Sequence, residues 1–208
     1  TLNTYEEPNH QKIGIEPSKV VEVARESGLQ VINSFFSKEV AEKVVNDFDK
    51  AKIITATNVF AHVDNMDAFV EGIPSLLAND GVFVIEVSYL IELIDQTLFD
   101  TIYHEHLCYY SLTALVPFLK KHGLEVFDVE KLSFGASGPA LRVFMQKEKG
   151  AYSVAETVER TLSEEKKWGV GNFEKYQNYA KKVEDVKQKV LLLLQELSHS
   201  GFGIGGFG

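Results

Sequence analysis

Four consecutive residues, Tyr103, His104, Glu105 and His106, put a phenol, two imidazoles and a carboxylate near the middle of the chain. An imidazole titrates close to neutrality and so can take or give a proton under ordinary conditions. A phenol can donate to a carbonyl oxygen, and a carboxylate can accept hydrogen bonds from hydroxyls. If the segment is extended, His104 and His106 share one face while Tyr103 and Glu105 share the other. In an irregular loop all four can converge on one pocket. Two plainer uses of these residues stand beside proton transfer: a buried polar knot, and a metal site in which His104 and His106 are joined by His62 or Glu105.

At 208 residues the chain can build one large domain, or one domain with an appendage, and its formal charge is −9 with no block of lysine or arginine. A nucleic-acid surface should be basic, so that class of partner is set aside. Cys108 is the sole cysteine, which excludes an internal disulfide and a cysteine-rich zinc module within this sequence and fits a cytoplasmic setting. No apolar run approaches the ~20 residues needed to span a bilayer, and no membrane partner is expected. Residues 1–10 lack the apolar core of a signal peptide.

These side chains must be positioned by the surrounding elements. Residues 1–11 show no periodicity and read as a linker or the remnant of a missing N-terminal module. A strand over 12–15 stops at Glu16-Pro17-Ser18, where Ser18 can cap a helix over 19–27 that Gly28 closes. A strand over 29–36, a Ser37-capped helix over 38–48 and a β-branched strand over 52–60 follow. Asp64 or Asn65 caps a helix over 66–77, and Asn79-Asp80-Gly81 turns into a strand over 82–87. Such alternation predicts an α/β fold with a doubly wound, mostly parallel sheet covered by helices on both faces. A short helix within 91–98 leads into the Tyr-His-Glu-His stretch, and Ser111 caps a helix over 112–122. Strands over 124–132 and 140–146, with no helix between them, predict an antiparallel hairpin at the sheet edge.

Two further helices are expected over 152–168 and 173–198, so residues 12–150 read as one α/β domain and 151–208 as the helical start of a C-terminal domain. The glycine-rich end over 201–208 carries Gly-x-Gly-x-x-Gly spacing, but no helix follows whose N-terminus would hold a phosphate. In an open α/β sheet, ligands sit beyond the carboxyl ends of the strands. Those ends carry Glu16 and Pro17, then Asn33 and Ser34, then Asn58 through His62, then Glu86 through Tyr89. Glu16 suits a nucleoside ribose, because one carboxylate can accept from both hydroxyls. It suits a helix N-terminus equally well.

Taken in order, Glu16-Pro17-Ser18, Asn58-Val59-Phe60-Ala61-His62-Val63, Asp80-Gly81-Val82-Phe83-Val84-Ile85-Glu86 and Phe99-Asp100 with Ile102-Tyr103-His104-Glu105-His106 closely resemble one family. These are the S-adenosylmethionine-dependent C-methyltransferases that act on nucleotide-linked 4-keto-6-deoxysugars. The resemblance runs from about Ile13 to Gln146 and continues more weakly beyond. It implies a class I, Rossmann-like methyltransferase fold, S-adenosylmethionine as cofactor, a nucleotide sugar as substrate and a role in deoxysugar biosynthesis.

Carried over by residue, the resemblance implies that Glu16 holds the cofactor ribose. Pro17, Asn33, Ser34, Asn58 and Val59 complete the expected cofactor contacts. Asn58 and His62 would lie beside the sugar and the transferred methyl, His106 would be the general base, and Tyr103 and Glu105 would bind or polarise the sugar. Of the family's His-Gly-Gly segment followed by Arg, Ser137-Gly138-Pro139-Ala140-Leu141-Arg142 keeps the first glycine and the arginine. Arg142 then either reaches the substrate or forms a salt bridge on a strand. His104 is given no role and no metal is placed in this site.

The family's glycine-rich cofactor loop is expected upstream of Ile13, and its zinc module further upstream still, so the chain reads as an incomplete copy. An O- or N-methyltransferase of the same fold, and a truncated module that binds without catalysis, remain as alternatives.

Overall fold

The computed structural model describes residues 11–135 and 138–206. Residues 1–10 of the linker expected over 1–11, Ser137 and the last two positions of the glycine-rich end therefore lie outside the described residues.

A first parallel pair joins β1 (Ile13–Ile15) to β2 (Gln30–Ile32) across helix α1 (Val20–Glu26). Gly28 closes that helix in the left-handed region at φ 79°. Helix α2 (Lys38–Phe48) begins at Ser37, whose hydroxyl accepts the Val40 N–H. Strand β3 (Ala51–Thr57) then runs parallel to β4 (Leu77–Ser88), with α3 (Met66–Glu71) and α4 (Ile73–Leu76) between them. After α5 (Leu90–Asp95), a long loop and α6 (Leu112–Lys121), β5 (Leu124–Gly135) and β6 (Gly138–Lys147) close the sheet in the order β3-β4-β6-β5. β6 is antiparallel to both neighbours, so the closing hairpin is present and its second strand is inserted beside β4. Helices α7 (Glu156–Trp168) and α8 (Phe173–His199) follow.

The α/β class and the antiparallel hairpin agree with the sequence reading, and several boundaries differ for local reasons. β2 is short because the Ser34 N–H turns back to the Ile32 carbonyl. β3 stops at Thr57 because Asn58 adopts φ 55°, and a single 3-10 turn over Phe60–His62 follows. The helix expected over 66–77 breaks at Gly72, ahead of Pro74, which has no N–H to continue the ladder. Asn79-Asp80-Gly81 forms no turn. The register with β3 jumps from Ala51↔Leu77 to Ile53↔Val82, so the extra residues bulge within β4. Gly81 is required there: a Cβ would lie 2.9 Å from the Ala51 carbonyl oxygen. α7 starts at Glu156 because the Gln146 side-chain amide grips both backbone groups of Tyr152. The parallel strands also fall into two sheets among the described residues, since β1 and β2 pair only with each other.

Phe83, Ile85 and Val87 alternate along β4, and with Tyr89 just beyond it they pack with Leu141, Val143 and Met145 of β6 and with Leu112, Leu115 and Leu119 of α6. One carboxylate is buried with them. Glu165 of α7 accepts the N–H groups of Leu112 and Thr113 at 2.8 and 2.7 Å, while Ser111 accepts that of Ala114. The first turn of α6 is thereby satisfied from a different helix. Along α8 the run Val190–Leu194 is exposed. Among the described residues no helix is long and apolar enough to cross a membrane.

Candidate active site

The site is built on Phe60. Its fully buried ring meets those of Phe69, Phe83 and Tyr110 with centroids 5.4, 6.1 and 6.2 Å away, and the Tyr110 hydroxyl donates to the Phe60 carbonyl at 2.8 Å. With Phe60 fixed, the 3-10 turn projects His62 outward at the carboxyl end of β3. The loop after α5 is pinned at its far end by a bridge between Tyr89 and Tyr110. It is tied to the turn by the Leu107 N–H, which donates to the Ala61 carbonyl at 2.8 Å. These anchors bring the His62 and His106 rings to 5.0 Å.

Within the loop the chain is neither extended nor open. The His106 N–H donates to the Tyr103 carbonyl at 3.0 Å, which closes a four-residue turn. First and last side chains of such a turn meet, so the rings of Tyr103 and His106 are 4.4 Å apart. The two middle residues point to solvent, where His104 Nε2 and Glu105 Oε1 approach to 3.9 Å. The turn thus unites Tyr103 with His106 and leaves Glu105 outside the cluster.

His106 Nδ1 lies 2.8 Å from the Thr101 carbonyl oxygen, which can only accept. Nδ1 is therefore the donor nitrogen, and in the neutral ring the lone pair falls on Nε2. The Tyr103 hydroxyl, 3.3 Å from Nε2, is placed to donate to it. The Thr101 carbonyl also accepts from the Tyr109 hydroxyl at 2.9 Å. Burial, followed by Tyr179 of α8 and Tyr103, pushes the Tyr109 phenol up, so it remains a donor. Sequence reading misses both partners. A backbone carbonyl has no sequence signal, and Tyr109 reads only as part of the stretch behind the four ionisable residues.

The remaining expected residues are divided between the two sheets: Glu16, Pro17, Asn33 and Ser34 follow β1 and β2, Asn58 and Val59 follow β3, and Arg142 lies within β6. Asn58 holds a left-handed backbone, which asparagine tolerates better than most side chains, and its N–H donates to the Glu86 carbonyl. Glu16 and Asn33 are joined through the Asn33 amide and the Glu16 carbonyl at 2.9 Å. Glu16 Oε1 accepts the Ser18 N–H at 2.8 Å, and the Ser18 hydroxyl and N–H hold this carboxyl below its usual range. Pro17 and Ser34 lie beside them, and Val59 follows Asn58 on the surface. Arg142 is engaged across three strands, bonding Glu86 of β4 and Glu130 of β5, each at 3.0 Å. Among the described residues no three histidine, cysteine, aspartate or glutamate side chains converge as a metal-ligand set.

Residues 5–129 match the family described as "Methyltransferase domain". The chain belongs to that family. Residues 135–208 match a second description, "C-methyltransferase C-terminal domain". The C-methyltransferase NovU of Streptomyces niveus is 30% identical over 208 residues, which is 100% of this chain and 49% of that protein. The chain thus spans about half the length of this curated relative. Among solved structures, a SAM-dependent methyltransferase from Anabaena variabilis aligns with a TM-score of 0.50 at 14% identity, covering 65% of this chain and 67% of that one. The mitomycin 7-O-methyltransferase MmcR also aligns with a TM-score of 0.50, at 19% identity over 67% of this chain and 42% of its own. Both likenesses speak to the methyltransferase fold, and the class I architecture expected from the sequence is the one found.

Proposed function

We propose that this protein is an S-adenosylmethionine-dependent C-methyltransferase acting on a nucleotide-linked 4-keto-6-deoxysugar, with residues 12–150 carrying the reaction and 151–208 beginning a C-terminal domain. One observation supports it above the others: the Thr101 carbonyl engages His106 Nδ1 and so turns Nε2 toward Tyr103, with His62 alongside, at the carboxyl edge of the sheet. Bound S-adenosylmethionine supplies an electrophilic methyl on a sulfonium centre. The residues present fit such a group, since Glu16 is an ionised carboxylate suited to a ribose diol, Asn33 supplies a side-chain amide beside it, and Asn58 supplies another beyond β3 of the second sheet. Pro17 and Ser34 would add cofactor contacts beside Glu16, and Val59 beside Asn58.

A carbon beside a ketone is acidic because its anion delocalises onto the carbonyl oxygen. His106 Nε2 takes that proton, and the C–H electron pair becomes the enolate. The positive charge left on the imidazole is held by the Nδ1–H bond to the Thr101 carbonyl. Nε2 has a single lone pair, so the Tyr103 hydroxyl first turns from it to the substrate carbonyl oxygen, where it donates to the developing enolate. His62 and the Asn58 amide orient the sugar, whereas Glu105, on the solvent side of the turn, is given no contact with it. Arg142 contributes to substrate binding by fixing the Glu86 carboxylate at the strand end. Glu16, Asn33 and Asn58 would hold S-adenosylmethionine so that its methyl passes to the nucleophilic carbon with the sulfur–methyl electron pair staying on sulfur, so registration of the two substrates should supply much of the rate.

The test combines the protein, S-adenosylmethionine and a 4-keto-6-deoxy nucleotide sugar in deuterated water. The expected product carries a new methyl on carbon, with deuterium wash-in beside the ketone in partial turnovers. Methylation on oxygen or nitrogen, without exchange at that carbon, would overturn the reading in favour of an O- or N-methyltransferase.

A further inference from the structure

Helix α8 approaches the loop that carries His106 from outside the sheet. Its start is held to α5: the Trp168 indole N–H at the end of α7 donates to both oxygens of Asp95 at 2.9 and 3.0 Å, and α8 itself packs on α5. The Tyr176 hydroxyl fixes the first turn by donating to the Val170 carbonyl at 2.6 Å. The loop to His106 leaves the C-terminal end of α5, so the next turn of α8 stands beside it.

That turn carries Tyr179. Its hydroxyl oxygen is closed off from solvent and meets no hydrogen-bond partner, the one such side-chain atom among the described residues. A buried hydroxyl in that condition costs stability, so its retention calls for a use. Burial, followed by the charge of Asp100, pushes the Tyr179 phenol up, so it stays a donor. Asp100 is exposed, and among the described residues no ion pair or side-chain hydrogen bond holds its carboxylate. A donor without an acceptor thus lies near an acceptor without a donor. Because Asp100 is on the surface, its side chain can turn to the hydroxyl without displacing a packed group. Asp100 also directly precedes Thr101, whose carbonyl oxygen meets His106 Nδ1 at 2.8 Å and accepts from Tyr109 at 2.9 Å.

We infer that Tyr179 is a positioning residue for His106: its hydroxyl donates to the Asp100 carboxylate, and this bond fixes the Thr101 carbonyl against Nδ1. A hydrogen bond to a carboxylate is among the stronger kinds, and here it ties the loop to a helix of the C-terminal segment. The inference rests on the reading of His106 as the base only for its effect on turnover; the effect on the imidazole stands apart from any substrate.

The test reads His106 by nitrogen-15 NMR in the full chain with no substrate present. The ratio of the Nδ1–H to the Nε2–H tautomer should fall about threefold or more in Tyr179→Phe and in Asp100→Ala, the effect of one lost hydrogen bond. Asp100→Asn, whose amide oxygen still accepts, should stay near the wild-type ratio, and the double variant Tyr179→Phe/Asp100→Ala should fall no further than the lower single variant. Unchanged ratios in both single variants, losses that multiply in the double variant, or an Asp100→Asn ratio as low as that of Asp100→Ala would overturn the positioning role. With S-adenosylmethionine and a 4-keto-6-deoxy nucleotide sugar, Tyr179→Phe should lower kcat with KM nearly constant. Methyl transfer by a protein whose tautomer ratio is indifferent to both single variants overturns the positioning role alone. The coupled tautomer ratios in a protein that transfers no methyl uphold it and overturn the reaction.

Discussion

The Nδ1 atom of His106 lies 2.8 Å from the carbonyl oxygen of Thr101, and this bond decides which imidazole nitrogen can act as a base. At neutral pH, nitrogen-15 NMR of His106 should show a protonated Nδ1 and a lone pair on Nε2. The reverse tautomer would leave Tyr103 facing an N–H and remove Nε2 from any role as proton acceptor.

Replacing His106, the proposed base, separates chemistry from binding. His106→Asn should lower turnover by about 10²–10⁴-fold, the range of a lost general base, while cofactor affinity measured by calorimetry stays nearly constant. Tyr103→Phe removes the hydroxyl beside Nε2 and should cost about tenfold or more in kcat, with a smaller change in KM. Near-normal turnover in His106→Asn would take it out of the mechanism.

Alkaline pH should destabilise the fold through two buried phenols. Burial is the main cause raising both Tyr89 and Tyr110, with nearby Glu165 adding to the first and Cys108 to the second. Their stabilising contribution is complete below the unfolded tyrosine pKa of about 10. It is lost above that pH, because the unfolded chain releases the protons first. Urea unfolding should show a loss of up to about 1.4 kcal/mol per pH unit for each phenol above about pH 10. Tyr89→Phe and Tyr110→Phe should each flatten that slope; an unchanged slope in both would assign it elsewhere.

Glu165 should matter for stability and little for binding. Glu165→Ala leaves two N–H groups of α6 without partners, and a loss of about 2–4 kcal/mol in unfolding free energy is expected. Glu165→Gln should recover part of it, since its amide oxygen still accepts. Denaturant titration of both variants measures the difference.

Arg142→Met should lower stability by about 1–2 kcal/mol, because it removes two ion pairs from a partly exposed side chain and strands the largely buried Glu86. Glu86→Gln should cost less when added to the Arg142→Met variant than when made alone. Strictly additive losses in that double-mutant cycle would mean the pair is uncoupled.

Much of the architecture was legible because it is written in local chemistry. Ser37, Asn65 and Ser111 begin helices where their hydroxyl or amide oxygens accept first-turn N–H groups, and Gly28 and Gly123 follow helices with positive φ. The missed boundaries have the opposite origin. Asn79-Asp80-Gly81 has turn composition, yet cross-strand pairing on both sides holds it inside β4 as a bulge. Gln146 keeps Tyr152 out of α7 through a contact that residue types alone do not announce.

The sequence by itself determined the family motifs, the alternation of strands and helices, and the placing of ionisable residues at strand ends. Each follows from residue type and short-range spacing. Only the tertiary structure decided how the four central residues divide. One turn pairs Tyr103 with His106 and sends His104 and Glu105 to solvent, and the Thr101 carbonyl sets the tautomer. Those choices depend on where Phe60, Ala61 and Tyr110 hold the loop, and on distances between groups remote in the chain that no local pattern encodes.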